Sequence, residues 1–336
     1  MVEGSSRSTW EQGQPKAHCT QGVMGGKTAF VFPGQGSQYV GMGWDMARNF
    51  PAAHALMESG SEVLGLDLGR LCFTSAEEEL NLTANTQPAV LTVSTMVLTV
   101  LREQGIDPDF VAGHSLGEYT ALVAAGSLAY SDALRAVRRR GELMQEAVAV
   151  GAGAMAAIIG LSPDTVEEIC RDAARGEVVE VANLNAPTQT VVAGHAVAVN
   201  RTSVAARARG AKRVFLLPVS APFHSSLMRS IAKEFSTVLG GLDIRAPNIP
   251  FIAGLDAEPK RTAAQVTQSL IEQLDHPVRW VEVIRRLTRE GVETFIELGP
   301  GKVLSVLIKR IDEMVRVYYI EDRRSLEETL AATAKA

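Results

Sequence analysis

Residues 109–126, DFVAGHSLGEYTALVAAG, hold the reading that decides the fold. DFVAG reads as a short buried strand, and Leu116, Tyr119, Leu122 and Val123 then recur at helical spacing. Strand, sharp turn and helix therefore meet at Ser115, which stands between Gly113 and Gly117 in the pattern G-x-S-x-G. A nucleophile elbow needs glycine at those two places, because neighbouring backbone comes too close to leave room for a Cβ. The helix that starts there points free N–H groups at the serine, so the amide of Leu116 is placed to stabilise an oxyanion.

A serine hydroxyl attacks only when a base takes its proton, and six histidines are available. His18 falls in an irregular N-terminal stretch, His54 in a helix-like one, His195 at a strand end and His276 beside a proline; each reads as structural or exposed. His114 adjoins the serine but points elsewhere. His224 follows the apolar strand in RVFLLPVSAPFHSSLM (213–228), in a loop with two prolines, and loops after strand ends are where sheet enzymes keep their chemistry. The acids between Ser115 and His224 lie in helical or turn-like segments, so no third member of a Ser-Asp-His set stands out. A Ser-His dyad oriented by a backbone carbonyl would serve instead, with weaker support for the imidazolium.

SDALRAVRRRGELMQEAVAV (131–150) reads as an amphipathic helix with Ser131 as N-cap and Leu134, Val137, Gly141, Met144 and Val148 along its apolar face. Arg140 lies on the core side of that helix, whereas Arg138 and Arg139 turn towards solvent. A core-side guanidinium keeps its charge and wants a carboxylate or phosphate. Taken alone, a structural ion pair accounts for it; beside an acyl-transfer serine, a clamp for a substrate carboxylate does.

Composition sets outer limits. The 336 residues are 46% hydrophobic and 21% charged, which supports ample core and excludes disordered and fibrous classes. No apolar run approaches the roughly 20 residues of a membrane-spanning helix. Three scattered cysteines suggest neither a disulfide framework nor a zinc site and suit a reducing, cytoplasmic setting. A net charge of −5 argues against general nucleic-acid binding.

Segments 151–219 read as strand, helix, strand, strand, helix, strand, a ferredoxin-like order. The expected fold is thus α/β: an α/β-hydrolase-like large domain built from 27–150 and 220–320, with a small ferredoxin-like subdomain, 151–219, inserted in it. Residues 1–26 read as a disordered tail and 321–336 as a C-terminal tail.

Six ordered motifs carry a resemblance across Lys27 to about residue 320: FPGQGSQ (32–38), GHSLGEY (113–119), RRGELMQEA (139–147), NLNAPTQTVVAGH (183–195), APFHSSLM (221–228) and ELGPGKVL (297–304). The sequence resembles the malonyl-CoA:acyl carrier protein transacylase family. The resemblance implies Ser115 as nucleophile, His224 as its base, Arg140 as the grip on the malonyl carboxylate, and the amides of Gln35 and Leu116 as oxyanion hole. Gln273, in EQLDHPVRW, matches the position whose carbonyl orients the histidine. Leu116 and Phe223 match members that prefer malonyl to methylmalonyl. The implied reaction is ping-pong transfer from malonyl-CoA to the phosphopantetheine thiol of an acyl carrier protein, for fatty-acid or polyketide synthesis, with no bound cofactor or metal.

An acidic carrier needs a basic landing area, for which Lys212-Arg213, Arg285-Arg286 and Lys309-Arg310 are candidates, as are ordinary solvated faces. Nothing demands more than a monomer. Three rivals remain: a general serine esterase, an acyl hydrolase of the same family that clears carrier proteins, and a non-enzymatic scaffold. The first two have no need of a charged arginine in the acyl pocket, and the third has no use for Ser115, His224 and Arg140 together.

Overall fold

A computed structural model describes residues 26–149, 151–219 and 221–333. The tail expected at 1–26 lies outside them, apart from Gly26. The chain runs β1 (Lys27–Phe32), α1 (Trp44–Asn49), α2 (Pro51–Leu64), α3 (Leu68–Phe73), α4 (Glu77–Leu80), α5 (Thr83–Glu103), β2 (Phe110–Gly113), α6 (Gly117–Ala124) and α7 (Tyr130–Glu146). It continues through β3 (Gly153–Ile159), α8 (Pro163–Ala174), β4 (Val179–Ala186), β5 (Gln189–His195), α9 (Ala196–Ala208) and β6 (Arg213–Leu216). After a 3-10 turn at Ser226–Ile231 come α10 (Ala232–Gly240), β7 (Phe251–Ile252), β8 (Pro259–Lys260), α11 (Ala263–Glu272), α12 (Trp280–Arg289), β9 (Val292–Leu298), α13 (Val303–Ile311), β10 (Arg316–Ile320) and α14 (Arg323–Thr333).

Six strands form one sheet in the order β10-β9-β1-β2-β7-β8. They are parallel as far as β7, and β8 closes the edge antiparallel. A parallel sheet is covered on both faces, so its strands are apolar throughout, and alternate residues of β1 serve the two cores. Phe30 and Phe32 join the core that includes residues of α5, α6 and α7, whereas Ala29 and Val31 join the one that includes residues of α12 and α13.

The second sheet is antiparallel, in the order β4-β5-β3-β6. It holds its own small core with α8 and α9. Backbone bonds latch it to the larger unit: Leu184 N–H donates to Val278 O, and Val278 N–H to Ala182 O, both at 2.9 Å.

Two expectations need correction. The segment taken as a C-terminal tail contains α14, because Asp322 caps Ser325 N–H at 2.7 Å and Leu326, Thr329 and Thr333 share one buried face. Helix α7 begins at Tyr130, whose hydroxyl donates to Thr92, so Ser131 lies inside the first turn and caps nothing. Helix α9 begins at Ala196, just after His195, whose Nδ1 accepts the Val178 N–H. No helix among the described residues is long and apolar enough to cross a membrane.

The elbow depends on two glycines. A Cβ on Gly117 would stand 2.0 Å from the Phe32 carbonyl oxygen, and one on Gly113 would stand 2.0 Å from the Gly117 carbonyl carbon. Rigid backbone cannot yield to such overlap, so Gly117→Ala is expected to destabilise the protein by about 3 kcal/mol or more. Urea unfolding measures this; a loss below about 1 kcal/mol would mean that β1 and α6 are not in contact.

Candidate active site

Ser115 occupies the turn between β2 and α6, held by His114 N–H donating to Phe32 O at 3.0 Å and Gly117 N–H to His114 O at 3.0 Å. Its φ is +53°, a left-handed conformation that L residues adopt at a cost. His224 is also left-handed, with φ +59°. The two side chains meet: Ser115 Oγ lies 2.7 Å from His224 Nε2. On the far side of the ring, Nδ1 is 2.8 Å from the main-chain oxygen of Gln273. A carbonyl only accepts, so Nδ1 carries the proton and Nε2 offers its lone pair to the serine.

Burial, and next the charge of Arg140, push the His224 pKa down to about 3. The imidazole is therefore neutral at pH 7 and ready to accept a proton. No carboxylate among the described residues hydrogen-bonds to it, and the third position is filled by the Gln273 carbonyl.

Arg140 is a buried cation, at 1% exposure. Arg138 and Arg139, its predecessors on α7, are partly exposed and ion-paired, both with Glu142 and Arg139 also with Glu234. Arg140 instead donates to neutral oxygens: Nη1 to Gln87 Oε1 at 3.0 Å, Nη2 to Gln273 Oε1 at 3.0 Å, and Nη2 to Ser115 Oγ at 3.2 Å. Its Nε has no partner among the described residues. Gly141 sets its depth, since a Cβ there would stand 2.7 Å from Ala84 Cα and force α7 away from α5. Removing a guanidinium from water without a counter-ion costs several kcal/mol.

The other residues expected from the sequence lie around this group. Leu116, 1% exposed, precedes α6; Gln35 follows β1 in the PGQG turn, its side chain donating to Thr83 Oγ1 at 3.2 Å. No protein acceptor among the described residues takes the main-chain N–H of either. The PGQG turn abuts the elbow, for a Cβ on Gly34 would stand 2.4 Å from the His114 carbonyl oxygen. Phe223 is buried immediately before His224. Gln273 reaches the site twice, by its carbonyl and by its side chain, whose Nε2 donates to Ser115 O at 3.2 Å.

Three neighbours escaped the sequence reading. Gln87 holds Arg140 from α5; a lone glutamine before Pro88 in an apolar stretch was its only signal. Glu118 is a fully buried acid on α6, visible only as the E of GHSLGEY. Asn185 on β4 pairs with His114 Nε2 at 2.8 Å, linking the small sheet to the elbow.

Of the three basic pairs, Lys212-Arg213 and Lys309-Arg310 line one surface cleft of 770 Å³. Arg286 is committed to Glu258 and Glu290. A further cleft, of 970 Å³ between α8, β4 and the start of α12, is not lined by Ser115, His224 or Arg140.

The family model for the acyl transferase domain matches residues 29–320. The malonyl CoA-acyl carrier protein transacylase of Bacillus subtilis (strain 168) is 47% identical over 302 residues, 90% of this chain and 95% of the relative. Among solved structures, an acyl carrier protein S-malonyltransferase from Vibrio cholerae O1 biovar eltor superposes with a TM-score of 0.88 at 44% identity, covering 90% of this chain and 99% of that one. A malonyl-transacylase solved in complex with its type II PKS acyl-carrier protein superposes at 0.89 and 42% identity, covering 91% and 99%.

The left-handed turn generates a prediction of its own. Ser115→Gly and Ser115→Ala both remove the hydroxyl, and only glycine relieves the backbone. The glycine variant is expected to be more stable than the alanine variant by about 1 kcal/mol in urea unfolding; equal stabilities would mean that the turn is unstrained.

Proposed function

The chain belongs to the malonyl CoA-acyl carrier protein transacylase family, and from that premise we propose that it moves malonyl from coenzyme A to the phosphopantetheine thiol of an acyl carrier protein through an ester on Ser115. The observation that carries this reading is the buried guanidinium of Arg140, which no carboxylate among the described residues hydrogen-bonds, 3.2 Å from the nucleophilic oxygen. An uncharged acyl group would leave it without a hydrogen-bonded anion; malonyl brings one.

The steps follow from the hydrogen bonds. Ser115 Oγ attacks the thioester carbonyl as its proton passes to His224 Nε2, and the oxyanion settles against the amides of Gln35 and Leu116. The C–S bond breaks, and the sulfur of coenzyme A leaves with the proton from His224. The carrier thiol then gives its proton to His224, attacks the ester carbonyl and releases Ser115, which recovers that proton. Gln273 keeps the imidazole in the required tautomer. Arg140 exchanges its bond to Ser115 Oγ for the malonyl carboxylate, which fixes the far end of the acyl group. Phe223, beside the base, crowds an α-methyl substituent, a discrimination of about 1–3 kcal/mol. Phosphopantetheine arrives on the partner, and every step described uses protein side chains and backbone.

Two structural readings accompany this function. The β3-α8-β4-β5-α9-β6 order, with β3 central beside β5 and β6, supports a ferredoxin-like assignment for the smaller unit. The strand-turn-helix at Ser115 supports an α/β-hydrolase-like one for the larger. We place the acidic carrier on the cleft lined by Lys212, Arg213, Lys309 and Arg310, where four cations face one acid, Glu313.

Intact mass after brief exposure to malonyl-CoA or acetyl-CoA tests the chemistry. A malonyl adduct is expected on the wild type, none on Ser115→Ala, and loading about 100-fold slower or worse on Arg140→Ala, in keeping with the loss of a buried charge pair. Equal loading of acetyl, or rapid loss of the adduct as free acid, would favour a hydrolase. For docking, Arg213→Glu with Lys309→Glu should raise the KM for the carrier about tenfold, with the effect shrinking in salt. An unchanged carrier KM would move the docking face elsewhere.

A further inference from the structure

Arg140 has no ion-pair partner among the described residues, but it does have an acidic neighbour. Among the groups acting on its charge are the Tyr119 phenol, which burial keeps neutral, and Glu118, the one acid. Glu118 stands on α6, three residues after Ser115, and is completely buried. Its Oε1 accepts the Gly254 N–H at 2.6 Å, while Oε2 has no hydrogen-bond partner.

A second buried glutamate shows how different this is. Glu297, at the end of β9, binds the start of α13 with both oxygens, accepting Leu304 N–H at 3.0 Å and Ser305 N–H at 2.7 Å. That carboxylate is fully used as a helix cap. Glu118 has one oxygen unused, near a guanidinium whose Nε is likewise unused among the described residues.

We propose that Glu118 is the counter-charge of Arg140 while the site is empty, and that it takes up a proton when the carboxylate of the incoming acyl group reaches Arg140. This rests on the malonyl reading above and deepens it, making Glu118 a positioning residue that acts through Arg140. Two carboxylates cannot share one buried guanidinium as cheaply as one, so the arrival of the second favours protonation of the first. The proton comes from solvent; no covalent bond other than O–H is made.

The surroundings leave Glu118 as the group that titrates. Arg140 faces it from α7 and Lys260 from β8, where the amine is ion-paired with Asp256. The Gln273 side chain, at the end of α11, and the Gly254 N–H favour its ionised form. Burial outweighs these and pushes the carboxyl up to about 7. Tyr119 is pushed upward, and His224 and His114 downward, all chiefly by burial. Below pH 7, therefore, Glu118 is protonated and Arg140 is free for the substrate; above it, ionised Glu118 competes. Preference for a carboxylated acyl group falls as pH rises.

The test is the ratio of kcat/KM for malonyl-pantetheine to that for acetyl-pantetheine, from pH 5.5 to 9. The ratio cancels titration of His224 and of the thiol, and these esters lack the phosphates of coenzyme A. Between pH 6 and 8 the wild-type ratio is expected to fall about tenfold, the equivalent of one pKa unit, mainly through KM for malonyl. In Glu118→Gln, whose amide oxygen still accepts the Gly254 N–H, the ratio is expected to stay flat. An unchanged slope in Glu118→Gln, or a flat ratio in the wild type, overturns the proposal.

Should that variant not fold, proton uptake by the wild type in weak buffer at pH 7 decides the matter. Malonyl loading is expected to take up a measurable fraction of a proton per site more than acetyl loading, and equal uptake overturns the proposal. Failure of the wild type to load malonyl at all would instead overturn the transacylase reading.

Discussion

A guanidinium taken out of water without a carboxylate is the constraint around which the rest of the site is arranged. Its position is set far from the chemistry, where Gly141 lets α7 and α5 touch backbone to backbone. That approach carries Arg140 down to Gln87, and from there its other amino group reaches Gln273 and Ser115. Four elements therefore share one charge: α5, α7, the elbow and the end of α11. Shifting any of them by an ångström leaves a buried donor without an acceptor, a loss of about 1–3 kcal/mol for each group.

The sheet supplies the complementary rigidity. β1, β2 and β9 run parallel and end together, so the PGQG turn, the elbow and the GPG turn after β9 are stacked against one another. A Cβ on Gly299 would strike Pro33 and Ser94. On that packed floor two residues, Ser115 and His224, are held in left-handed backbone, which costs stability and is tolerated because the surroundings over-determine it. The strain fixes where the oxygen and the imidazole nitrogen sit before any substrate arrives.

Legibility in the sequence followed the range of each interaction. The elbow, the helix of Arg140 and the strand-helix order of the insert are local patterns, and periodicity alone places them. Gln87, Glu118 and Asn185 matter because the fold carries each to a distant partner, and nothing in their own neighbourhoods signals it. Gln273 was reachable only through resemblance, since an orienting carbonyl has no side-chain signature. Helix α14 was missed because two of its buried positions are Thr329 and Thr333, which do not register as an apolar stripe. The two basic pairs at 212–213 and 309–310 could not be matched before the cleft brought them together.

The missing acid of the Ser-His pair follows from the same constraint. A full carboxylate against His224 Nδ1 would stabilise the imidazolium, as in a Ser-His-Asp set. It would also lie close to Arg140, whose charge reaches the imidazole strongly enough to depress its pKa. A permanent anion there would claim the guanidinium and weaken it as a grip for an anionic acyl group. A carbonyl orients the ring equally well and carries only a partial charge, so the cation stays available. What is lost is the imidazolium stabilisation an acid would add to a ring that burial and Arg140 push down to about 3; in the proposed reaction the oxyanion formed during attack offsets it by placing negative charge beside the protonated ring. An acyltransferase that selects a carboxylated substrate is thereby steered away from the acid that hydrolases keep.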